Sequence, residues 1–218
     1  MKSSDLKKKA LYFLDILINS YPDARIELNY NKKDAWELLV VVALSAQTTD
    51  RSVNLVSPAL FKKFKNIQAF AKATPEQIEP YIKSLGLYRN KAKNLVLAAQ
   101  KIINDFDSQI PQNRDLLETI PGVGKKTAAV IIANAFNIQA IAVDTHVARV
   151  AYRLGLTKSR APAKIESELS ELFPKNMLTK AHITLIFHGR RVCIARKPHC
   201  SICPVQEACP RVGVTVWQ

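Results

Sequence analysis

Residues 120–133 read Ile-Pro-Gly-Val-Gly-Lys-Lys-Thr-Ala-Ala-Val-Ile-Ile-Ala, a stretch that predicts a tight hairpin opening a helix. Apolar residues flank the two glycines, at Leu116, Leu117, Ile120, Val130, Ile131 and Ile132. The pattern therefore predicts a helix, a hairpin and a second helix. Glycines let the backbone approach a phosphate closely, and the free amides at the start of the second helix supply donors at the positive end of its dipole. Such a hairpin can hold a nucleic-acid backbone without reading its sequence.

Two other interpretations of the hairpin compete with this one. A nucleotide-binding phosphate loop needs a glycine five positions before its Gly-Lys-Ser/Thr, but that position is Thr119, and Lys126 separates Lys125 from Thr127. This difference excludes the nucleotide interpretation. The second alternative is an ordinary turn that follows a helix C-terminus. The paired lysines and a net charge of +14 favour nucleic-acid binding over the ordinary turn.

The positive charge is concentrated in runs along a chain of otherwise ordinary composition. With 218 residues, 48% hydrophobic and 23% charged, the chain can bury a core in one or two domains. Between Pro80 and Asn104 no acidic residue accompanies the basic ones, which are Lys83, Arg89, Lys91, Lys93 and Lys101. Such runs indicate a polyanionic partner. The longest apolar run, Leu38 to Leu44, is far shorter than the roughly 20 residues that span a bilayer, so we expect no membrane partner.

All four cysteines lie near the C-terminus with the spacing Cys-x6-Cys-x2-Cys-x5-Cys, at Cys193, Cys200, Cys203 and Cys209. Disulfides are the least favoured interpretation, because the N-terminus has no secretory apolar core and thiols stay reduced in the cytosol. Zinc ribbons prefer two close Cys-x2-Cys pairs, and ferredoxins use a different spacing, so the spacing alone leaves zinc and an iron–sulfur cluster open. The surrounding window is basic, which predicts that the metal loop faces a polyanion.

Nearly every other segment predicts a helix. One apolar stripe at helical spacing runs through Leu6, Ala10, Phe13, Leu14, Leu17 and Ile18, and another runs from Leu95 to Phe106. Thr74-Pro-Glu-Gln is a capping box with proline at the first helical position. Residues 35–46 are apolar almost all round, which predicts a buried helix.

Residues 141–149 read Ile-Ala-Val-Asp-Thr-His-Val-Ala-Arg. Asp144 precedes a helical pattern of apolar residues that continues to Leu154. Taken in isolation, the pattern favours a role for Asp144 as the N-terminal cap of that helix. A carboxylate at this position could also take part in chemistry.

Together these segments resemble the endonuclease III family of bifunctional DNA glycosylases and apurinic/apyrimidinic lyases. The resemblance covers essentially the whole chain and includes Val-Asp-Thr-His at 143–146 and His-Gly-Arg-Arg-Val-Cys at 188–193, followed by the other cysteines. It also includes Leu-Ser-Ala-Gln-Thr-Thr-Asp at 44–50 and Ile-Lys-Ser-Leu-Gly-Leu-Tyr-Arg-Asn-Lys-Ala at 82–92. These two segments match the loops with which the family faces the DNA strands.

The family resemblance implies an all-α fold of two helical domains. Residues 28–138 would form a six-helix barrel that contains the helix–hairpin–helix. Residues 1–27 and 139–218 would form a discontinuous domain that holds an iron–sulfur cluster, and the cleft between the domains would bind DNA. In this family the four cysteines bind a [4Fe–4S] cluster, so the resemblance favours the cluster over zinc.

The resemblance also implies roles for individual residues. Lys126 matches the family's nucleophile, which attacks the sugar C1′, whereas Lys125 would face phosphate. Asp144 would stabilise the developing positive charge on the sugar or assist proton transfer. Gln47 and Leu87 would fill the hole that a flipped lesion leaves in the duplex. Further DNA contacts are expected at Gly122, Val123, Gly124, Arg196 and Lys197.

The implied activity is excision of oxidised pyrimidines through a lysine Schiff base, followed by strand cleavage by β-elimination. We expect damaged double-stranded DNA as the partner, a monomeric protein and a bacterial-type cytoplasmic location, on the nucleoid when bound to DNA. One alternative is an adenine mismatch glycosylase of the same superfamily, which lacks a lysine at the position of Lys126. The other is a DNA-binding module without catalysis, against which the presence of both Lys126 and Asp144 argues.

Overall fold

The computed structural model describes residues 3–218, which contain eleven α-helices, two short 3₁₀ helices and no β-strand. The α-helices are α1 (Ser3–Ser20), α2 (Ala35–Leu44), α3 (Asp50–Lys63), α4 (Ile67–Lys72), α5 (Pro75–Ile82), α6 (Tyr88–Asp105), α7 (Arg114–Glu118), α8 (Lys125–Ala135), α9 (Thr145–Arg153), α10 (Pro162–Leu172) and α11 (Leu178–Arg191). The 3₁₀ helices are Lys175–Met177 and Cys200–Ile202. The all-α prediction is confirmed. In the described part of the chain, no helix is both long and apolar enough to cross a membrane.

The helices form two compact units. The first is Glu27–Ile138, which contains α2 to α8. The second joins the N-terminal segment up to Ile26 with Gln139–Gln218 and contains α1 and α9 to α11. Glu27 belongs to the first unit, whereas the domain boundary predicted from the sequence placed residue 27 in the second. Met1 and Lys2, with which the predicted second domain begins, lie outside the described residues.

The core of Glu27–Ile138 is built around α2. Its residues Leu38 to Val41 are fully buried, as expected for a helix that is apolar all round. It packs against α3, α6 and α8, and α6 packs in turn against α4 and α5. The Asp34 carboxylate begins α2 by accepting hydrogen bonds from the backbone N–H groups of Trp36 and Glu37. The predicted buried helix is therefore confirmed.

The other unit ties the two ends of the chain together. The helix α1 packs against α10 and α11, and α9 packs against the same two helices. The predicted stripe on α1 faces this core, where Ala10, Phe13, Leu14 and Leu17 are buried. Because an amphipathic helix is stabilised mainly by the burial of its apolar face, α1 depends on the C-terminal third of the chain for its position.

The local start signals act as the sequence predicts. Thr74 caps α5 with Pro75 in the first turn, and the Gln77 side-chain oxygen accepts a hydrogen bond from the Thr74 backbone N–H at 3.0 Å. The predicted stripe from Leu95 lies on α6, and Phe106 is the residue at which that helix ends.

Candidate functional site

The hairpin lies between α7 and α8 and is anchored by buried side chains. Ile120 and Val123 are buried, and the Val123 backbone N–H donates to the Ile120 carbonyl at 3.0 Å. Gly122 has a φ of +82°, and an added Cβ there would lie 3.0 Å from the Cβ of Asn94. The position therefore requires glycine, both for its backbone conformation and for its close approach to α6. Because the Val123 side chain points into the core, only its backbone remains to contact a ligand.

The second half of the hairpin presents donors and positive charge. Gly124 is the N-cap of α8, with an extended backbone and no side chain of its own to cap the helix. Lys125 and Lys126 are the first two residues of α8, and both are exposed. The Arg114 guanidinium donates to the Lys125 carbonyl at 3.4 Å and to the Glu118 carboxylate at 3.2 Å. Arg114 thus anchors the first turn of α8. The amides and the two lysines of that turn remain accessible to an anion.

Gln47 and Leu87 lie at the tips of two loops within the same unit as the hairpin. Both are exposed, Leu87 at 61%, and both adopt the left-handed backbone region, with φ of 54° and 58°. This exposure excludes a place for Leu87 in the core. One pocket brings the two loops and the hairpin together, and its lining includes Gln47, Leu87, Asn90, Asn94, Pro121 and Gly122. A left-handed backbone costs a non-glycine residue free energy, so surrounding contacts must hold both loops in place.

Lys91 makes one of those contacts, and the sequence did not predict this contact. Lys91 is only 8% exposed, and its Nζ donates a hydrogen bond to the Thr48 hydroxyl at 2.9 Å. Desolvation by burial lowers the pKa of the Lys91 ammonium. The sequence placed Lys91 in a basic run that faces a polyanion, but the structure buries this lysine against Thr48. Its ammonium instead joins the first turn of α6, next to Leu87, to the loop that carries Gln47.

Asp144 caps α9, as the local pattern predicted. Its Oδ1 accepts hydrogen bonds from the backbone N–H groups of His146 and Val147, both at 2.8 Å. Its Oδ2 lies 3.2 Å from Nδ1 of His146, and the Asp144 side chain is 12% exposed. Asp144 belongs to the unit with the cysteines, whereas Lys126 belongs to Glu27–Ile138. One carboxylate oxygen thus accepts both capping bonds, and the other lies beside the imidazole.

The four cysteines line a single pocket with about 310 Å³ of empty space, and none is in a disulfide. Leu154, His188, Val192, Pro198 and Val214 complete most of its wall. Burial raises the pKa of the Cys203 thiol to about 11 and also raises the pKa of Cys209. Buried thiols of this kind bind as thiolates when a metal supplies positive charge.

The donor set of this pocket fits a cubane cluster, which takes one thiolate on each of four irons. Within residues 3–218, no three His, Cys, Asp or Glu side chains are arranged to hold a single metal ion. Backbone N–H groups also face the sulfurs, since the Arg211 N–H donates to the Sγ of Cys209 at 3.4 Å. The four thiols around this mostly apolar cavity supply the ligands that such a cluster needs.

Two arginines of α9 hold the loop that carries the first cysteine. Arg149 donates from Nε to the Cys193 carbonyl at 3.0 Å and from Nη2 to the Gly189 carbonyl at 2.9 Å. Arg153 donates to the carbonyls of Ile194 and Ala195 at 2.6 and 2.8 Å. Neither role was predicted from the sequence, although two arginines four residues apart on one helix face are a signal that they act together.

Arg196 and Lys197, the predicted phosphate contacts of the cysteine loop, follow directly after these anchored carbonyls. Both side chains are exposed, and Lys197 has a φ of 47°. The buried Pro198 comes next, and its carbonyl accepts hydrogen bonds from the backbone N–H groups of Cys200 and Gln218. The loop thus exposes Arg196 and Lys197 at a bend, and hydrogen bonds fix the backbone on both sides of it.

Comparisons with known proteins agree with this geometry. Residues 40–175 match the HhH-GPD superfamily of base excision DNA repair proteins, and residues 193–209 match the iron–sulfur binding domain of endonuclease III. The chain is 45% identical over 210 residues to endonuclease III of Synechocystis, covering 96% of this chain and 95% of that protein. The chain belongs to the endonuclease III family. Its residues 193–209 begin and end at the first and last of the four cysteines.

Two further members of the endonuclease III family show the same extent of similarity. Endonuclease III of Rickettsia prowazekii is 43% identical over 195 residues, covering 89% of this chain and 91% of that protein. A solved structure described as a trapped endonuclease III–DNA covalent intermediate superposes with a TM-score of 0.90 at 39% identity and covers 97% of both chains. The chain is therefore a base excision repair enzyme, with DNA glycosylase and apurinic/apyrimidinic lyase activity and a [4Fe–4S] cluster as its cofactor.

Proposed function

We propose that the enzyme excises oxidised pyrimidines from duplex DNA through a Schiff base on Lys126 and then cleaves the strand by β-elimination. The observation that carries the proposal is the position of Lys126. Lys126 is exposed on the first turn of α8, directly after the hairpin. The structural relative trapped as a covalent DNA intermediate supports a covalent route.

The proposed chemistry needs an amine at this position. Attack of the Lys126 nitrogen on C1′ forms a C–N bond while the glycosidic bond breaks, and the base leaves with the electron pair and takes up a proton. Loss of a proton from the nitrogen gives a neutral N,O-acetal, and the nitrogen lone pair then breaks the C1′–O4′ bond while the ring oxygen takes up a proton. The ring-opened iminium that results acidifies the hydrogen on C2′. Removal of that proton expels the 3′ phosphate and cleaves the strand. A hydroxyl nucleophile could not form an iminium, so it could not promote the second step.

We assign Asp144 to the developing positive charge on the sugar during base loss. Its Oδ1 is held by two backbone N–H groups at 2.8 Å, which fixes the orientation of the carboxylate. A carboxylate that does not reorganise during the reaction stabilises a cationic transition state more effectively than a mobile one. The cap and the catalytic role are therefore compatible, because the same two hydrogen bonds that cap α9 also orient the carboxylate.

The remaining residues are assigned to DNA and to the cluster. Gln47 and Leu87 fill the space that the flipped nucleotide leaves, for which their exposure and fixed backbone suit them. The hairpin backbone at Gly122, Val123 and Gly124 contacts phosphate, and so do the side chains of Lys125, Arg196 and Lys197. Cys193, Cys200, Cys203 and Cys209 ligate the cluster, and the protein acts on the DNA of a bacterial-type cytoplasm as a monomer.

The test is borohydride trapping on a duplex that contains thymine glycol. The wild-type enzyme should give a covalent adduct and strand cleavage. Lys126→Gln keeps length and polarity but removes the amine, so both should vanish although damaged DNA still binds. Lys125→Gln is the matched control, since it should keep trapping and lose affinity modestly. Efficient trapping by the Lys126 variant would refute the assigned nucleophile.

A further inference from the structure

Behind the cysteine pocket lies a buried chain of three polar side chains. The Tyr21 hydroxyl lies 2.8 Å from Nδ1 of His188, and Nε2 of the same imidazole lies 3.8 Å from Sγ of Cys203. Tyr21 is 5% exposed and His188 is 1% exposed. Tyr21 follows the end of α1, whereas His188 lies in the last turn of α11, so the chain joins segments that are far apart in the sequence.

The direction of each hydrogen bond follows from the donors available. A cysteine bound to a metal is a thiolate, which can only accept, so Nε2 of His188 must carry a hydrogen. A neutral imidazole with hydrogen on Nε2 has a lone pair on Nδ1. The Tyr21 hydroxyl is then the donor to Nδ1. If the two hydrogen bonds ran in the opposite direction, the lone pair of Nε2 would point at the thiolate. That contact is repulsive in a buried site.

We propose that His188 is a hydrogen-bond donor to the cluster ligand Cys203, and that Tyr21 positions it by fixing its tautomer. The inference rests on the proposed ligation by Cys203. A hydrogen bond to a ligating sulfur stabilises the more reduced, more negative cluster and so raises its reduction potential. Through these hydrogen bonds, Tyr21 in the N-terminal segment therefore helps to set the reduction potential of the cluster.

The surroundings of Tyr21 support a positioning role. Its ring packs beside the Arg191 guanidinium at 5.8 Å, and Arg191 forms a bidentate pair with Asp23 at 3.1 and 2.6 Å. Burial raises the pKa of Tyr21 to about 12, so the hydroxyl keeps its hydrogen throughout the working range of pH. The Tyr21 hydroxyl is thus a permanent hydrogen-bond donor, and contacts with α11 hold the Tyr21 ring in place.

The experiment measures the midpoint potential of the cluster in the full-length holoprotein without DNA. His188→Phe removes the donor, and we expect a shift to a more negative potential. Tyr21→Phe removes one hydroxyl and should shift the potential in the same direction by a smaller amount. His188→Gln places an amide N–H near the position of Nε2 and should lie closer to wild type than the Phe variant.

A second readout and a control separate the possible failures. In the wild type, exchange into D₂O should shift one iron–thiolate stretching band in the resonance Raman spectrum, and His188→Phe should lose that shift. Cys203→Ser tests the ligation itself, because unchanged iron content in that variant would refute the role of Cys203 rather than that of His188. Wild-type potentials in folded His188→Phe and Tyr21→Phe proteins would overturn the inference. If His188→Phe does not fold, an unchanged potential in Tyr21→Phe overturns it alone.

Discussion

The two units place their functional groups in opposite environments. In Glu27–Ile138 the groups assigned to DNA are exposed, as at Leu87 and Lys126, and the backbone beneath them is fixed by buried neighbours. In the cysteine unit the sulfurs are partly buried, and hydrogen bonds from Arg149 and Arg153 hold the loop that begins at Cys193. Exposed groups can be replaced at little cost in stability, whereas buried, bonded groups cannot. The two regions should therefore differ in which property a substitution removes first.

The largest expected effect is the loss of a cysteine. Cys203→Ser should remove the cluster and lower the free energy of unfolding by more than about 4 kcal/mol, because loss of a structural metal group belongs to the most destabilising changes. Iron content and thermal unfolding measure both effects. Leu87→Ala, its counterpart in the exposed region, should change stability by no more than about 0.5 kcal/mol while lowering excision. A stable Cys203 variant that retains full iron would break the comparison between the two regions.

The next prediction separates the two roles of Asp144. This residue lies in the cysteine unit but is assigned to the reaction at the sugar. Asp144→Asn retains an oxygen that can accept the capping hydrogen bonds, so the fold should be unchanged. Loss of the negative charge should slow base removal by about 100-fold or more. Asp144→Ser, also a good cap, should behave in the same way. Single-turnover excision rates, measured with the melting temperature, test this, and unchanged rates would leave Asp144 only its cap.

The hairpin offers a matched pair of glycines within one loop. Gly122→Ala places a Cβ 3.0 Å from Asn94 on a left-handed backbone, which should cost about 1 to 2 kcal/mol of stability. At Gly124 an added Cβ meets nothing within 4 Å, so Gly124→Ala should leave stability nearly unchanged. Both variants should bind undamaged duplex more weakly, because a methyl group hinders the approach of phosphate. Equal melting temperatures for the two would contradict the account of Gly122.

The sequence predicted what depends on local pattern and missed what depends on distant partners. The helices, the capping box at Thr74 and the cap at Asp144 follow from the spacing of residues near them, and the structure shows all three. The burial of Lys91 and its bond to Thr48 could not be read from a basic run, because its partner lies 43 positions away. The bond between Tyr21 and His188 spans 167 positions and was missed for the same reason.

The smallest expected effect compares two lysines that look alike in the sequence. Affinity for undamaged duplex should fall with salt, and each phosphate contact should contribute roughly −0.9 to the log–log slope. Lys197 is exposed, so Lys197→Met should flatten the slope by about one unit or less. Lys91 is buried against Thr48, so Lys91→Met should leave the slope unchanged and instead loosen the loop that carries Gln47. That loosening should lower excision of the lesion while non-specific binding stays at the wild-type level. A flatter salt slope in the Lys91 variant would show that Lys91 contacts phosphate. The two lysines would then have the same role.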